Sequence, residues 1–325
     1  MSLQNHPDKR GDVVSIGETM LYFQAEDYGL LRYAHRFDKF IGGTESNTMI
    51  SLAKLGFSTG WVSRLGADEF GYNIRDFIRG HGVDVSRIVF DSEAPTGIFF
   101  VEKNANDEVR SFYYRKGSAA SRMQTDDLDM DYICGHKMLH LTGITPLLSE
   151  NCRQMTHALI HTAKRKGMTV SFDPNLRLTM ADIETYRKIL HPLMAMIDIF
   201  LPSEKELLLL MDTQDLDTAI ARAKDMGLGH IVIKKGDRGC LLIKNDTQHQ
   251  EPVFPVKKVV SSMAAGDAFN AGYLAGVLKG FDDINTLRLA GCVGAMATLA
   301  WGPYEGIPEW ETVMAYVEGL GVVER

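Results

Sequence analysis

The sequence predicts an α/β fold built on a mainly parallel sheet, and three observations carry that expectation. Short apolar runs rich in β-branched residues recur along the chain, helical stretches separate them, and two hairpin-like segments stand outside the alternation. Strands alternating with helices imply a parallel sheet covered on both faces, with ligands held beyond the carboxyl ends of its strands. Composition agrees with this class. Of 325 residues, 45% are hydrophobic and 24% charged, which excludes collagen-like, disordered and disulfide-scaffold chains.

The run at 12–17 (DVVSIG) reads as the first buried strand, and the same signature returns at 169–173 (TVSFD), 197–201 and 230–234 (HIVIK). Helical stretches are expected at 47–54, 74–81, 149–166, 183–194 and 218–226. Residues 20–40 and 95–115 carry strand-like runs with no helix between them, the second being GIFFVE and VRSFYYR around turn-forming residues 104–107. That pattern predicts a small antiparallel sheet projecting from the main one. It reads equally as a lid or as a plain surface hairpin. One domain is expected over 12–308, with the lid formed by about 20–40 and 95–115 and with 1–11 an N-terminal tail or expression scar.

Thirty-five Lys and Arg face 42 Asp and Glu, a net charge of −7. The field of the whole molecule therefore repels nucleic acid and anionic membrane, neither of which is an expected partner, and any phosphate must be held locally. Cys134, Cys152, Cys240 and Cys292 lie far apart with no CxxC pair. They read as reduced, buried thiols of a cytoplasmic protein. The longest uncharged apolar stretch, 289–304, is interrupted by glycines and falls short of the roughly 20 residues of a membrane helix. The first ten residues are polar, with no secretory h-region.

The strongest chemical signal is SSMAAGDAFNAGYLAG at 261–276, where small residues run up to Asp267 and Phe269, Tyr273, Leu274 and Val277 then repeat at helical spacing. A helix N-terminus offers free N–H groups and a positive dipole end, and small residues let a phosphate approach the backbone. An aspartate there either caps the helix or takes a hydroxyl proton during phosphoryl transfer. A second signal is IGGTESNTMISLAKLG at 41–56. Its paired glycines permit close approach of a small polar ligand, and Asn47 offers both a donor and an acceptor to a hydroxyl. No GxxxxGK[ST] loop and no GxGxxG fingerprint is present, so P-loop kinase and dinucleotide-binding readings lack their residues.

Taken together, GGTESNTMISLAKLG and AAGDAFNAG resemble the N-terminal and C-terminal signatures of the ribokinase-like, PfkB-type carbohydrate kinases, and the resemblance runs from about Asp12 to Pro308. Within that family the chain is most similar to 2-keto-3-deoxygluconate kinases, through Gly17-Glu18, Pro95-Thr96-Gly97, YYRKGSAAS at 113–121, HLTGI at 140–144 and SFDPNLR at 171–177. The resemblance implies a ribokinase-like three-layer sandwich whose small β lid often forms a homodimer contact. It implies ATP and Mg²⁺ as cofactors and a sugar or sugar acid as the small-molecule partner. Gly42, Gly43 and Asn47 would reach sugar hydroxyls, and Tyr113, Arg115 and Arg177 would contact the acceptor, the two arginines clamping a carboxylate. Guanidinium suits that task because its donor fork matches a carboxylate. Asp267 matches the family's catalytic base, with Ala264, Ala265 and Gly266 forming the anion hole. Ser203, Lys234, Gly236 and Gly239 would border the nucleotide and Glu206 would hold Mg²⁺.

Three motifs depart from the family pattern, at four positions. An acid-Thr-x-Gly-Ala-Gly-Asp run appears as SSMAAGD, which places Ser261 and Ala264 where an acid and a glycine stand. If position 264 requires positive φ, the alanine methyl costs about 1–2 kcal/mol. The metal-linked Asn-x-x-Glu appears as Ser203 to Glu206, leaving water-mediated contact to magnesium. Phe99 occupies a lid position where several similar kinases carry tyrosine. The expected activity is ATP-dependent phosphorylation of a sugar-acid terminal hydroxyl. A neutral-sugar kinase of fructokinase or ribokinase type, and a catalytically weak sugar or nucleotide sensor, remain the alternatives.

Overall fold

The computed structural model describes residues 11–104 and 109–319. The expected tail therefore lies outside the described residues except for Gly11, and so does the turn at 104–107 except for Asn104. In chain order the elements begin β1 (Gly11–Ile16), β2 (Met20–Ala25), β3 (Phe37–Gly42), α1 (Thr44–Lys54), β4 (Thr59–Gly66), α2 (Glu69–Gly80) and β5 (Ile88–Asp91). There follow β6 (Ile98–Lys103), β7 (Val109–Tyr114), α3 (Met130–Cys134), β8 (His136–Thr142), α4 (Glu150–Arg165), β9 (Thr169–Asp173), α5 (Ile183–Leu190) and β10 (Ile199–Phe200). The chain continues with α6 (Glu204–Leu210), α7 (Leu216–Asp225), β11 (His230–Lys234), β12 (Cys240–Lys244), β13 (Thr247–Glu251), α8 (Ala265–Lys279), α9 (Asp283–Ala297) and α10 (Trp310–Val317).

Among the described residues, nine strands form the main sheet in the order β13-β12-β11-β10-β9-β8-β1-β4-β5. Pairing is parallel from β11 through β5, and β12 and β13 add an antiparallel edge. Alternation of side chains along each strand divides the core in two. Val13 and Met138 pack with α1, α2, α8, α9 and α10, whereas Val14, Ile16, Leu139 and Leu141 pack with α3, α4, α5, α6 and α7 on the other face. This is the three-layer sandwich. Strand order reverses at β1, with β4 on one side and β8 on the other, which marks the crevice beyond the ends of β1 and β8 as the ligand position.

The second sheet has the order β3-β2-β6-β7. Its outer pairs are antiparallel and its central pair, β2 and β6, runs parallel because each strand enters from the body of the protein. Cross-strand partners Phe40, Tyr22, Phe99 and Tyr113 stack in a ladder with centroid spacings of 5.1, 4.8 and 5.0 Å. Such aromatic pairs fix register and curvature.

Several boundaries differ from those expected. Helix α1 begins at Thr44 and α2 at Glu69, ahead of the apolar periodicity, because their first turns are set by the preceding chain and by the Asp68 cap on Gly71. Helix α5 ends at Leu190, where Pro192 turns the chain into a 3₁₀ segment over His191–Met196. Packing also continues past the expected limit at 308, since Val313 of α10 is buried in the same core as α9. The expected burial of the cysteines is met at 152, 240 and 292 and not at the half-buried Cys134. No helix of the described residues is long and apolar enough to cross a membrane.

Candidate active site

Helix α8 starts where the small-residue run predicts, and its glycines divide into two roles. A Cβ on Gly272 would lie 2.9 Å from Ala290 Cα, and one on Gly276 would meet Thr286 at 2.9–3.0 Å. These glycines let α8 and α9 touch. Gly266 is different, since the only neighbour a Cβ would approach is Lys234 Nζ at 3.8 Å. The N-cap is Ala264, held at φ 58° and ψ 8° with no side-chain cap. A left-handed alanine costs about 1–2 kcal/mol, partly offset because glycine is freer in the unfolded chain. Ala264→Gly is therefore expected to raise unfolding stability by about 1 kcal/mol in a denaturant titration. An unchanged or lower midpoint would contradict the strain.

Asp267 sits in the first turn of α8 but caps nothing. Its Oδ1 accepts from Thr44 Oγ1, its Oδ2 accepts from Asn47 Nδ2 at 2.8 Å, and Thr44 Oγ1 in turn accepts from Asn175 Nδ2 at 2.7 Å. The carboxyl is thus held between the first turns of α1 and α8. It is 7% exposed yet lines a cleft of about 220 Å³. Burial, opposed by the hydrogen bonds from Thr44 and Asn47, pushes its pKa up to about 6.

The same cleft is lined by Gly42, Gly43, Asn47, Tyr113, Arg115, Arg177 and Ala264. Sequence positions more than 200 residues apart thereby converge under the lid. Gly43 is small for an internal reason, because a Cβ there would lie 2.4 Å from the Glu18 carbonyl oxygen. Asn47 directs its amide donor to Asp267, so the hydroxyl contact expected of it competes with this bond. Tyr113 ends the aromatic ladder, with the Arg115 guanidinium carbon 5.8 Å from its ring centre. Arg177 is exposed on the loop after β9, and its Nη1 donates to the Leu176 carbonyl at 3.1 Å. Phe99 lies buried between Tyr22 and Tyr113.

Ser203, Lys234, Gly236 and Gly239 gather elsewhere, along the carboxyl ends of β10 and β11, where Ser203 and Lys234 form an isolated parallel bridge. Lys234 Nζ donates to Asp173 Oδ2 at 2.7 Å and to Asn270 Oδ1 at 3.3 Å, beneath the N-terminus of α8. Gly236 and Gly239, both at positive φ, make the tight connection from β11 to β12. Ser203 and Glu206 form a capping box at the start of α6: Glu206 Oε2 accepts from the Ser203 N–H and hydroxyl, each at 2.7 Å. Glu206 Oε1 accepts from the Leu176 N–H at 2.7 Å. Both oxygens are already bonded, so a direct metal bond would displace these contacts, and contact through water fits better. Among the described residues no group of three or more His, Cys, Asp or Glu could hold a metal ion.

Motif reading passed over several residues that the fold makes central. Glu45 is fully buried, and its Oε1 accepts from Thr142 Oγ1 at 2.6 Å and Thr145 Oγ1 at 2.9 Å. Burial pushes its pKa up to about 7, and the nearby Asp267 charge pushes the same way. Asp173, buried at the end of β9, accepts from Lys234 and from Asn270 Nδ2 at 2.6 Å. Each of these stands inside or beside a quoted motif, and adjacency was the only signal for it. A second hollow, of about 440 Å³, lies behind the lid between Phe70 and Tyr114. The side chains of Asp68 and Thr96 in its wall are bonded to each other and to Gly71 and Gly66.

The sequence profile described as pfkB family carbohydrate kinase matches residues 10–310. The chain is 32% identical over 318 residues to the 2-dehydro-3-deoxygluconokinase of Bacillus subtilis strain 168, covering 97% of this chain and 98% of that one. It is 30% identical over 316 residues to Fructokinase-1 of Zea mays, covering 94% and 97%. A crystal structure of a putative ribokinase II from E. coli in complex with ATP and Mg²⁺ superposes with a TM-score of 0.88 at 26% identity, over 95% of this chain and 99% of that one.

Proposed function

Because the chain belongs to the pfkB family of carbohydrate kinases, we propose that it transfers the γ-phosphoryl group of ATP to the terminal hydroxyl of a sugar acid, 2-dehydro-3-deoxygluconate or a close relative. It is a sugar kinase, and the substrate class is the finer step. That step rests on one observation: Arg115 and Arg177 border the same cleft as Asp267. A neutral sugar has no carboxylate to require them.

In this reading the acceptor lies under the aromatic ladder with its carboxylate toward the two guanidinium groups and its terminal hydroxyl at Asp267. Thr44 and Asn47 each occupy one lone-pair direction of the carboxylate oxygens, and a second direction on each oxygen remains for the acceptor O–H. The acceptor oxygen bonds to the γ-phosphorus, the bond from that phosphorus to the bridging oxygen of ADP breaks, and the hydroxyl proton passes to Asp267. The first-turn N–H groups of α8 have no acceptor within the helix and stabilise charge on the transferred group. Lys234, tied to Asp173 below them, adds positive charge. Mg²⁺, when bound, would neutralise phosphate charge, and Glu206, with both oxygens already bonded, would hold it through water. The lid shields the transfer from water. Its outer strand β7 leaves Tyr114 64% exposed, which supports pairing of two copies through their lids. Among the described residues the cysteines form no disulfide, which suits a reducing cytoplasm.

A coupled ADP-release assay over sugar acids and neutral sugars tests this directly. ADP release is expected to depend on an added ketodeoxy sugar acid. With Asp267 titrating near 6, kcat falls about tenfold per pH unit below that value. A neutral sugar turned over in preference would overturn the substrate class, and a kcat unchanged to pH 5 would remove Asp267 from the proton step. Stability runs the other way. A folded-state pKa above the unfolded one favours the protonated fold at low pH, and this contribution is lost as pH rises through about 6.

A further inference from the structure

Arg115 is not a free cation. Its Nη2 pairs with Glu18 Oε2, and both side chains are largely buried, at 13% and 1% exposure. Glu18 lies two residues past the end of β1, at the reversal of strand order, whereas Arg115 directly follows β7, so the pair joins body to lid. Ser118 Oγ donates to Glu18 Oε1 at 2.6 Å. Gly97 makes room for the pair, since a Cβ there would lie 2.8 Å from Glu18 Oε1 and 3.4 Å from Arg115 Cβ. Among the described residues, the other guanidinium nitrogens are nearly idle: Nη1 meets only the weak acceptor Met180 Sδ at 3.4 Å, and Nε is buried with no partner. Among the described residues Arg177 makes no ion pair.

Two guanidinium groups against one buried carboxylate leave the clamp a single positive charge. We propose that Glu18 is a specificity-determining residue that limits the clamp to one anionic group, admitting monocarboxylate sugars and turning away dicarboxylate or phosphorylated ones. This rests on the sugar-acid reading above. A first carboxylate meets Arg177 and the Nη1 of Arg115, displacing the weak Met180 contact. A second anionic group meets no uncompensated cation and lies close to the Glu18 charge, in surroundings where screening by water is weak.

The test compares KM for a monocarboxylate ketodeoxy sugar acid with the inhibition constant Ki of a six-carbon dicarboxylate sugar acid. In the unaltered enzyme the dicarboxylate is expected to inhibit poorly. Glu18→Gln removes the charge while keeping an acceptor for Ser118, and should lower the dicarboxylate Ki by about tenfold or more. Glu18→Asp keeps the charge and should keep the discrimination. Met180→Lys adds a charge beside Arg115 on a partly exposed loop, and should lower the dicarboxylate Ki even if Glu18→Gln does not fold. The proposal is overturned if Glu18→Gln folds without lowering that Ki, if Glu18→Asp loses discrimination equally, or if Met180→Lys leaves the Ki unchanged. Failure of the sugar-acid reading looks different: the unaltered enzyme would then show no preference for a monocarboxylate over a neutral sugar.

Discussion

Asp267→Asn lowers kcat by about 10²- to 10⁴-fold and leaves acceptor affinity largely unchanged. Asparagine matches aspartate in volume, so α1 and α8 keep their spacing, and an uncharged amide removes the cost of burying a carboxylate at 7% exposure. The amide N–H₂ replaces one acceptor oxygen facing Thr44 or Asn47, which offsets that gain, so the variant should fold about as well as the parent. Missing from it is a group able to receive the acceptor proton between Thr44 and Asn47. Steady-state ADP release together with calorimetric binding of the sugar acid checks both halves. Near-normal turnover rejects the proton-acceptor role, and loss of binding shows that the carboxylate mainly positions substrate.

Arg115→Ala has the second large effect, confined to acidic acceptors. Truncating one partner of a desolvated, hydrogen-bonded charge pair costs about 2–5 kcal/mol, roughly 30-fold to several thousand-fold in affinity. Sugar-acid KM is expected to rise in that range while any turnover of a neutral sugar changes little. Stability falls as well, because Glu18 at 1% side-chain exposure loses its counter-charge. Thermal melting recorded beside the Michaelis curves separates the two effects. Equal loss on acidic and neutral sugars would move Arg115 from acceptor recognition to lid architecture.

Both predictions join residues that the chain keeps far apart, and the division between what was legible and what was not follows from that. The alternation of strands and helices was legible because burial on both faces of a parallel sheet demands continuous apolar runs. The small-residue approach to Asp267 was legible too, since few arrangements other than a helix N-terminus call for that pattern. Strands β4 and β8 escaped because their polar residues, Ser63 in β4 and His140 and Thr142 in β8, break the apolar signature. These residues are buried nonetheless, paired with partners such as Gly17 and Ser171 that no local window contains. The parallel centre of the lid escaped for a similar reason, since strand direction depends on where each strand enters.

By itself the sequence determined the class of fold, the position of the helix that carries Asp267, and the residue types available to an acidic sugar, because each depends on local periodicity or on side-chain chemistry. Tertiary structure alone decided that Ala264 is left-handed, that Asp267 is gripped by Thr44 and Asn47 and caps no helix, and that Arg115 is paired with Glu18. Those outcomes depend on which atoms share a low-dielectric interior, and that is settled only when strands remote in the chain are brought side by side.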